Sequence, residues 1–249
     1  MLRVYLTGEL QLEHGADLLR EAALPGRQGR LTIAYLVCER HRAVPQAELA
    51  ELLWPDQAPA AWPVALSAII SKLRSRLAGI GLGPKTLVSA FNCYQLRLPE
   101  SAWVDLEAAA AAVHLAEGAL LTGDPGAAYG PGLIAMTITR RAFLPGEEAA
   151  WAEGRRRELA ELRIRALDCF SQALAANGEF ELAIRHGRDA VRLDPFRELG
   201  YRTLMRLLSA HGERAEALRV YEQCRTTLSA ELGVDPSPET RELHRQLLQ

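Results

Sequence analysis

The sequence predicts an α+β amino-terminal domain in winged-helix order, followed by an all-α, tetratricopeptide-like helical repeat domain. Three observations predict it. Apolar residues alternate at period two only near residues 2–12 and 86–98; between these stretches they recur at helical spacing; and from about Asp105 onward the pattern is helix after helix. The 249 residues suffice for two cores, expected at 1–99 and 100–249.

The elements follow in order. Leu2, Val4 and Leu6 alternate with Arg3, Tyr5 and Thr7, and Leu10 and Leu12 follow Gly8-Glu9, which reads as a short antiparallel pair. A third strand is expected over Asp17–Ala22, before Pro25-Gly26 breaks the chain. Leu31, Ala34, Tyr35 and Cys38 mark a first helix over 27–39. Pro45-Gln46 opens a second, with Pro45 expected inside its first turn, and Trp54-Pro55 closes it. A third helix is expected over 60–78, with Leu66, Ile69, Ile70, Leu73 and Leu77 as its apolar stripe and Gly79 at its end. Strands over 86–90 and 94–98 then bracket Phe91-Asn92-Cys93, expected as the turn of a hairpin.

Three helices followed by a hairpin is the order of a winged helix, which lays its third helix in the major groove of DNA and its hairpin against the neighbouring backbone or minor groove. Opposite the leucine stripe, the third helix carries Ser67, Ser71, Lys72, Arg74, Ser75 and Arg76. These cations suit phosphates, and the hydroxyls suit phosphate oxygens or base edges; with Asn92 of the turn they form the candidate DNA-binding set. The same cations on an isolated helix would equally be a solvated face.

Composition excludes several classes. Hydrophobic residues make up 49% and charged residues 24%, the balance of a globular chain, and aromatics only 6%. A net charge of -2 rules out a wholly basic nucleic-acid binder, yet residues 1–99 hold 11 Lys/Arg against 8 Asp/Glu and residues 100–249 hold 18 against 23. A basic front and an acidic back fit a partner rich in phosphate at the front alone; scattered surface charge gives the same totals. Cys38, Cys93, Cys169 and Cys224 are far apart, so neither disulfides nor structural zinc is expected, and the location expected is cytoplasmic. The alternating start is not a signal peptide and no stretch is a membrane span. The six histidines are isolated, and neither a phosphate-binding Gly-x-x-x-x-Gly-Lys loop nor a Gly-x-Ser-x-Gly elbow is present. No catalytic, metal or cofactor site is expected, and the chain is not expected to be an enzyme.

In the second half, helices are expected over 105–121, 148–176, 198–210, 213–232 and 238–248, and another opening at Gly178-Glu179-Phe180 and closing at Asp194-Pro195. Gly178 and Gly212 stand 34 residues apart, each between two helices, the period of a tetratricopeptide-like helix pair. Gly130-Pro131-Gly132 is expected to break or delay a helix and expose Leu133, Ile134 and Met136. Arg155-Arg156-Arg157 reads as a solvated face or as a patch for acidic partners.

Several stretches resemble a known family. Gly26-Arg27-Gln28-Gly29-Arg30, Ala47–Asp56 and Ser71–Leu77 resemble the winged helix of antibiotic-regulatory-type (SARP) transcriptional regulators, which is similar to the DNA-binding domain of response regulators. Phe143-Leu144-Pro145-Gly146-Glu147, Ala217–Tyr221 and Glu231–Pro236 resemble the bacterial transcriptional activator domain. The resemblance implies binding to double-stranded promoter repeats, contact with RNA polymerase or another protein through the helical domain, and a homodimeric or side-by-side arrangement. It places Ser71, Lys72, Arg74 and Arg76 on the recognition helix. Val64, Ser67 and Ile69 stand where the family commonly has Asn, Gln and His, and Ser89–Tyr94 where it has an Arg followed by Pro-Gly-Gly-Tyr. A protein–protein scaffold with a degenerate winged helix is the alternative.

Overall fold

The computed structural model describes residues 1–249. The chain opens with a meander, β1 (Leu2–Tyr5), β2 (Gln11–His14) and β3 (Asp17–Arg20), whose pairs are antiparallel. Leu2, Val4, Leu12 and Leu19 alternate onto the buried face, as period two requires. A short strand from much later in sequence, β7 (Trp103–Val104), joins β1 in parallel, so the sheet runs β3-β2-β1-β7.

Three helices follow: α1 (Gly26–Cys38), α2 (Gln46–Leu53) and α3 (Trp62–Ala78). A side chain at Gly29 would meet the Pro25 ring at 2.2 Å, so only glycine lets α1 turn this tightly out of Pro25. Leu31, Leu36, Leu49, Leu66, Ile70 and Leu73 are fully buried. The hairpin β5 (Leu87–Ala90) and β6 (Cys93–Leu96) gains a third strand, β4 (Val44–Pro45), in the order β4-β6-β5. The winged-helix order is thus present. Pro45 lies not within the first turn of α2 but at its N-cap, at ψ 144°, because it pairs with Cys93 in β4. Cys93 accordingly belongs to β6, and the turn shrinks to Phe91-Asn92.

Chain compactness divides the molecule into residues 1–108 with 141–158 on one side, and 109–140 with 159–249 on the other. The division is discontinuous, unlike the expected cut after residue 99. Its physical reason lies in the first unit. Asp105 Oδ2 accepts hydrogen bonds from the Leu6 and Thr7 amides and the Thr7 hydroxyl, at 2.8–2.9 Å. The returning segment also closes on that strand end, where the Gly8 amide donates to Ala142 O at 2.8 Å and the Leu144 amide to Leu6 O at 3.1 Å.

Two of the arginines read as a surface patch are anchors of this unit. Arg156 donates to the carbonyls of Phe143, at 3.0 Å, of Leu144, at 2.8 Å, and of Glu147. Arg155 donates to Glu39 and to Glu158, both at 2.9 Å. Their charge is consumed at home, Arg156 by carbonyls of the loop at 143–147 and Arg155 by two carboxylates.

The second unit is helical: most of α4 (Asp105–Leu121), α5 (Tyr129–Thr139), the later part of α6 (Ala150–Ala176), then α7 (Phe180–Leu193), α8 (Glu198–Ala210), α9 (Arg214–Leu232) and α10 (Pro238–Leu248). The 34-residue period is visible bond by bond. The Glu179 amide donates to Leu174 O and the Gly178 amide to Ala175 O; the Glu213 amide donates to Leu208 O and the Gly212 amide to Ser209 O. Both glycines adopt left-handed φ, 81° and 89°, closing each preceding helix as a left-handed cap does. Tyr201, Leu204, Met205 and Leu208 of α8 pack between residues of α7 and α9 in the core.

Gly130-Pro131-Gly132 does not break its helix. α5 begins at Tyr129, so Pro131 falls in the first turn, where its missing N–H has no partner to lose. Gly132 lets α5 pack closely there, since a Cβ would come within 3.1 Å of the Phe170 side chain. Leu133 and Ile134 are exposed, whereas Met136 is half-buried against the core.

Candidate nucleic-acid interface

The face of α3 follows from its buried stripe. Leu66, Ile70, Leu73 and Leu77 turn inward, and Ile69, at 8% exposure, joins them; one of the positions at which the family carries a polar residue is therefore core here. On a helix of 3.6 residues per turn, the line opposite runs through Val64, Ala68, Ser71 and Ser75, all exposed. Lys72 and Arg76 flank it on one side and Ser67 and Arg74 on the other. The crest is small and uncharged, and the cations stand at its edges. All of Ser67, Ser71, Lys72, Arg74, Ser75 and Arg76 are exposed.

Arg74 has a second task. Its Nε donates to Leu87 O at 2.9 Å, tying α3 to the first strand of the hairpin. Tyr94, on the neighbouring strand, is buried; desolvation raises its phenol above the ordinary range, with the Arg74 charge acting in the opposite sense. The exposed side of the helix and the hairpin are therefore joined through Arg74.

At the tip, Phe91 and Asn92 both lie at positive φ, 50° and 57°, between Ala90 and Cys93 paired across the strands. Two successive left-handed residues make a type I′ hairpin turn. Asn92 is at home there, a phenylalanine is not. The turn is held from below, since Asn92 O accepts the Gln46 amide at 2.9 Å. Asn92 is exposed, and Phe91 is 100% exposed.

One signal in the sequence marks this surface more sharply than the total charge. From Gln57 to Pro99 there is no Asp or Glu, while Lys72, Arg74, Arg76, Lys85 and Arg97 all fall in that stretch. At the chain's mean density, about five carboxylates would be expected there. All five cations are exposed and none is in an ion pair, whereas each arginine of residues 1–56 is. Lys85 and Arg97 escape a reading that follows helix faces alone. A scan for acid-free windows finds them.

No helix is long and apolar enough to cross a membrane, and no cluster of His, Cys, Asp and Glu could hold a metal ion. Comparison with known proteins agrees with the fold. The regulatory protein AfsR of Streptomyces coelicolor is 30% identical over 222 residues, covering 89% of this chain and 22% of that protein. The transcriptional regulatory protein EmbR of Mycobacterium tuberculosis is 26% identical over 221 residues, covering 88% of this chain and 57% of that protein. The chain thus spans well under two thirds of these relatives' lengths. A solved structure of Mycobacterium tuberculosis EmbR, in complex with a low-affinity phosphopeptide, superposes with a TM-score of 0.88 at 26% identity, covering 99% of this chain and 65% of that one. The bacterial transcriptional activator domain matches residues 104–248. Since that match takes in more than half of its residues, the chain belongs to the bacterial transcriptional activator domain family.

Proposed function

We propose that this chain regulates transcription by binding duplex DNA through α3 and the hairpin, with the helical unit serving protein contact. The observation that carries this reading is the acid-free stretch from Gln57 to Pro99 with its five exposed, unpaired cations. A stretch that keeps five exposed cations clear of carboxylates, while every arginine of residues 1–56 is ion-paired, offers its charge to a polyanion. In the major groove, Lys72 and Arg76 meet one phosphate strand and Arg74 the other. The small crest of α3 lies close to the bases: Val64 and Ala68 suit thymine methyl groups, and Ser71 and Ser75 suit base-edge acceptors. Ser67 and Asn92 complete the polar contacts. For the helical unit, a cavity of about 340 Å³ bordered by Leu120, Gln172, Thr203 and Arg206, and the exposed Leu193, Phe196 and Leu199 around the α7–α8 turn, support contact with RNA polymerase or a second copy. Activation as the outcome rests on the family alone.

A duplex titration at two salt concentrations tests the DNA reading. Arg74 is a poor probe, because its loss would also free the hairpin. Lys72→Glu with Arg76→Glu, which break no bond in the fold, should lower affinity about 100-fold by removing two attractions and adding two repulsions. The unfolding midpoint should not move. Undiminished binding by that double variant, or no binding by the wild type even in dilute salt, refutes the reading and leaves a protein scaffold in its place.

A further inference from the structure

We propose that Phe91 is a wedge that enters the minor groove and partly unstacks one base step, so that the site is selected for deformability as well as for base edges. This rests on the DNA reading above and adds to it a residue that carries no charge. Its support is local. The phenyl is wholly exposed, and its backbone sits at φ 50°, a conformation that glycine or asparagine would take without strain. Both features work against folding, and strain of this kind concentrates where a residue has a task outside the core.

The geometry points to DNA as the occupant, rather than to a protein groove. The hairpin and its flanks, from Lys85 to Arg97, hold no carboxylate; the two cations flank its base, where the Arg97 amide donates to Thr86 O, so the strands leading to the phenyl bring no negative charge against a phosphate backbone. Arg74 fastens the base of the same hairpin to α3. With α3 seated in the major groove, the adjoining hairpin meets the next minor groove. The bond from Gln46 to Asn92 O fixes the tip, and a rigid tip can transmit force to a base step. Apolar side chains used in this way kink flexible pyrimidine–purine steps most readily.

Phe91→Gly separates the two roles of the residue. In the full chain, glycine relieves the strained φ and removes the exposed ring, so the unfolding midpoint should stay equal or rise. Affinity for a short duplex, recovered by the wild-type chain from a randomised pool, should fall about tenfold. The salt slope should stay the same, because no phosphate contact is lost. With 2-aminopurine placed in turn at each adenine of that duplex, the wild type should brighten one position, next to a pyrimidine–purine step; Phe91→Gly should leave it dark and Phe91→Trp should restore it. A wild type that binds while Phe91→Gly binds equally well, with the same 2-aminopurine response, overturns the wedge and spares the DNA reading. A wild type that recovers no duplex at all overturns both.

Discussion

Residues 1–56 and 57–99 belong to one compact unit and treat positive charge in opposite ways. In the first stretch, Arg3 pairs with Glu13, Arg20 with Glu9, Arg27 with Glu147, Arg30 with Glu21, Arg40 with Glu107, and Arg42 with Glu39 and Glu48. In the second, five cations stand without a carboxylate. The chain's two lysines, Lys72 and Lys85, are both in the second stretch. Arginine's planar fork suits fixed pairing and carbonyl anchoring, while lysine behaves as a mobile point charge suited to phosphate. The contrast teaches that charges paired within the fold and charges left to a partner are separated here by sequence position, with both lysines on the unpaired side.

That separation can be broken experimentally. The largest effect is expected for a fold-serving charge, Arg156→Ala, which removes the guanidinium donors from the carbonyls of Phe143, Leu144 and Glu147 and leaves Leu144 O with the Glu147 amide alone. Losing these charge-assisted bonds should cost about 2–4 kcal/mol in denaturant unfolding; a loss under 0.5 kcal/mol would mean that the anchor is ornamental. A partner-serving charge should behave inversely. Lys72→Gln should lower duplex affinity several-fold and reduce the salt slope by about 0.9, with stability unchanged within about 0.5 kcal/mol. A shifted unfolding midpoint with an intact salt slope would erase the distinction.

The smallest effect is expected at Glu48. Hydrogen bonds from Arg42 and then from Tyr35 hold its carboxyl below the usual carboxylate range. In turn, burial and the bond to Glu48 push the Tyr35 phenol up to about 12. A depressed acid stabilises the fold above its unfolded pKa, about 4.3, and that contribution disappears as pH falls through the lower folded value. Because the pair is partly exposed, Glu48→Gln should cost only about 0.5 kcal/mol at neutral pH. It should also flatten the stability profile on the acid side. An unchanged profile between pH 5 and 2, measured by thermal unfolding, would show that the pair contributes nothing.

Much of the architecture was legible because it rests on local rules. Helices α4, α8 and α10 begin and end at the residues expected from the sequence, and the repeat at Gly178 and Gly212 needs only glycine's freedom at positive φ. The strands β4 and β7 were not legible: each has two residues, too few for a period, and each exists only because a distant strand accepts it. Arg155 and Arg156 misled for a related reason, since a run of three arginines looks the same whether it faces water, distant carboxylates or backbone carbonyls. For the candidate interface, all six residues of α3 proved exposed, but the hydrogen bond from Arg74 to Leu87 and the strained backbone of Phe91 are tertiary facts. The acid-free interval was in plain sight. It escapes a search for clusters of positive residues, because it is defined by what is missing.

The return of residues 141–158 to the first unit has a practical corollary for dissecting this protein. A fragment ending at residue 99 would lack β7, Asp105 and the strand-end partners Ala142 and Leu144, leaving the amides of Leu6, Thr7 and Gly8 without acceptors. Such a piece should be insoluble or molten for reasons unrelated to DNA, and its failure to bind would be misread. Chimaeras built by swapping amino-terminal halves between relatives need the seam placed beyond residue 158, so that the strand end travels with the loop that completes it.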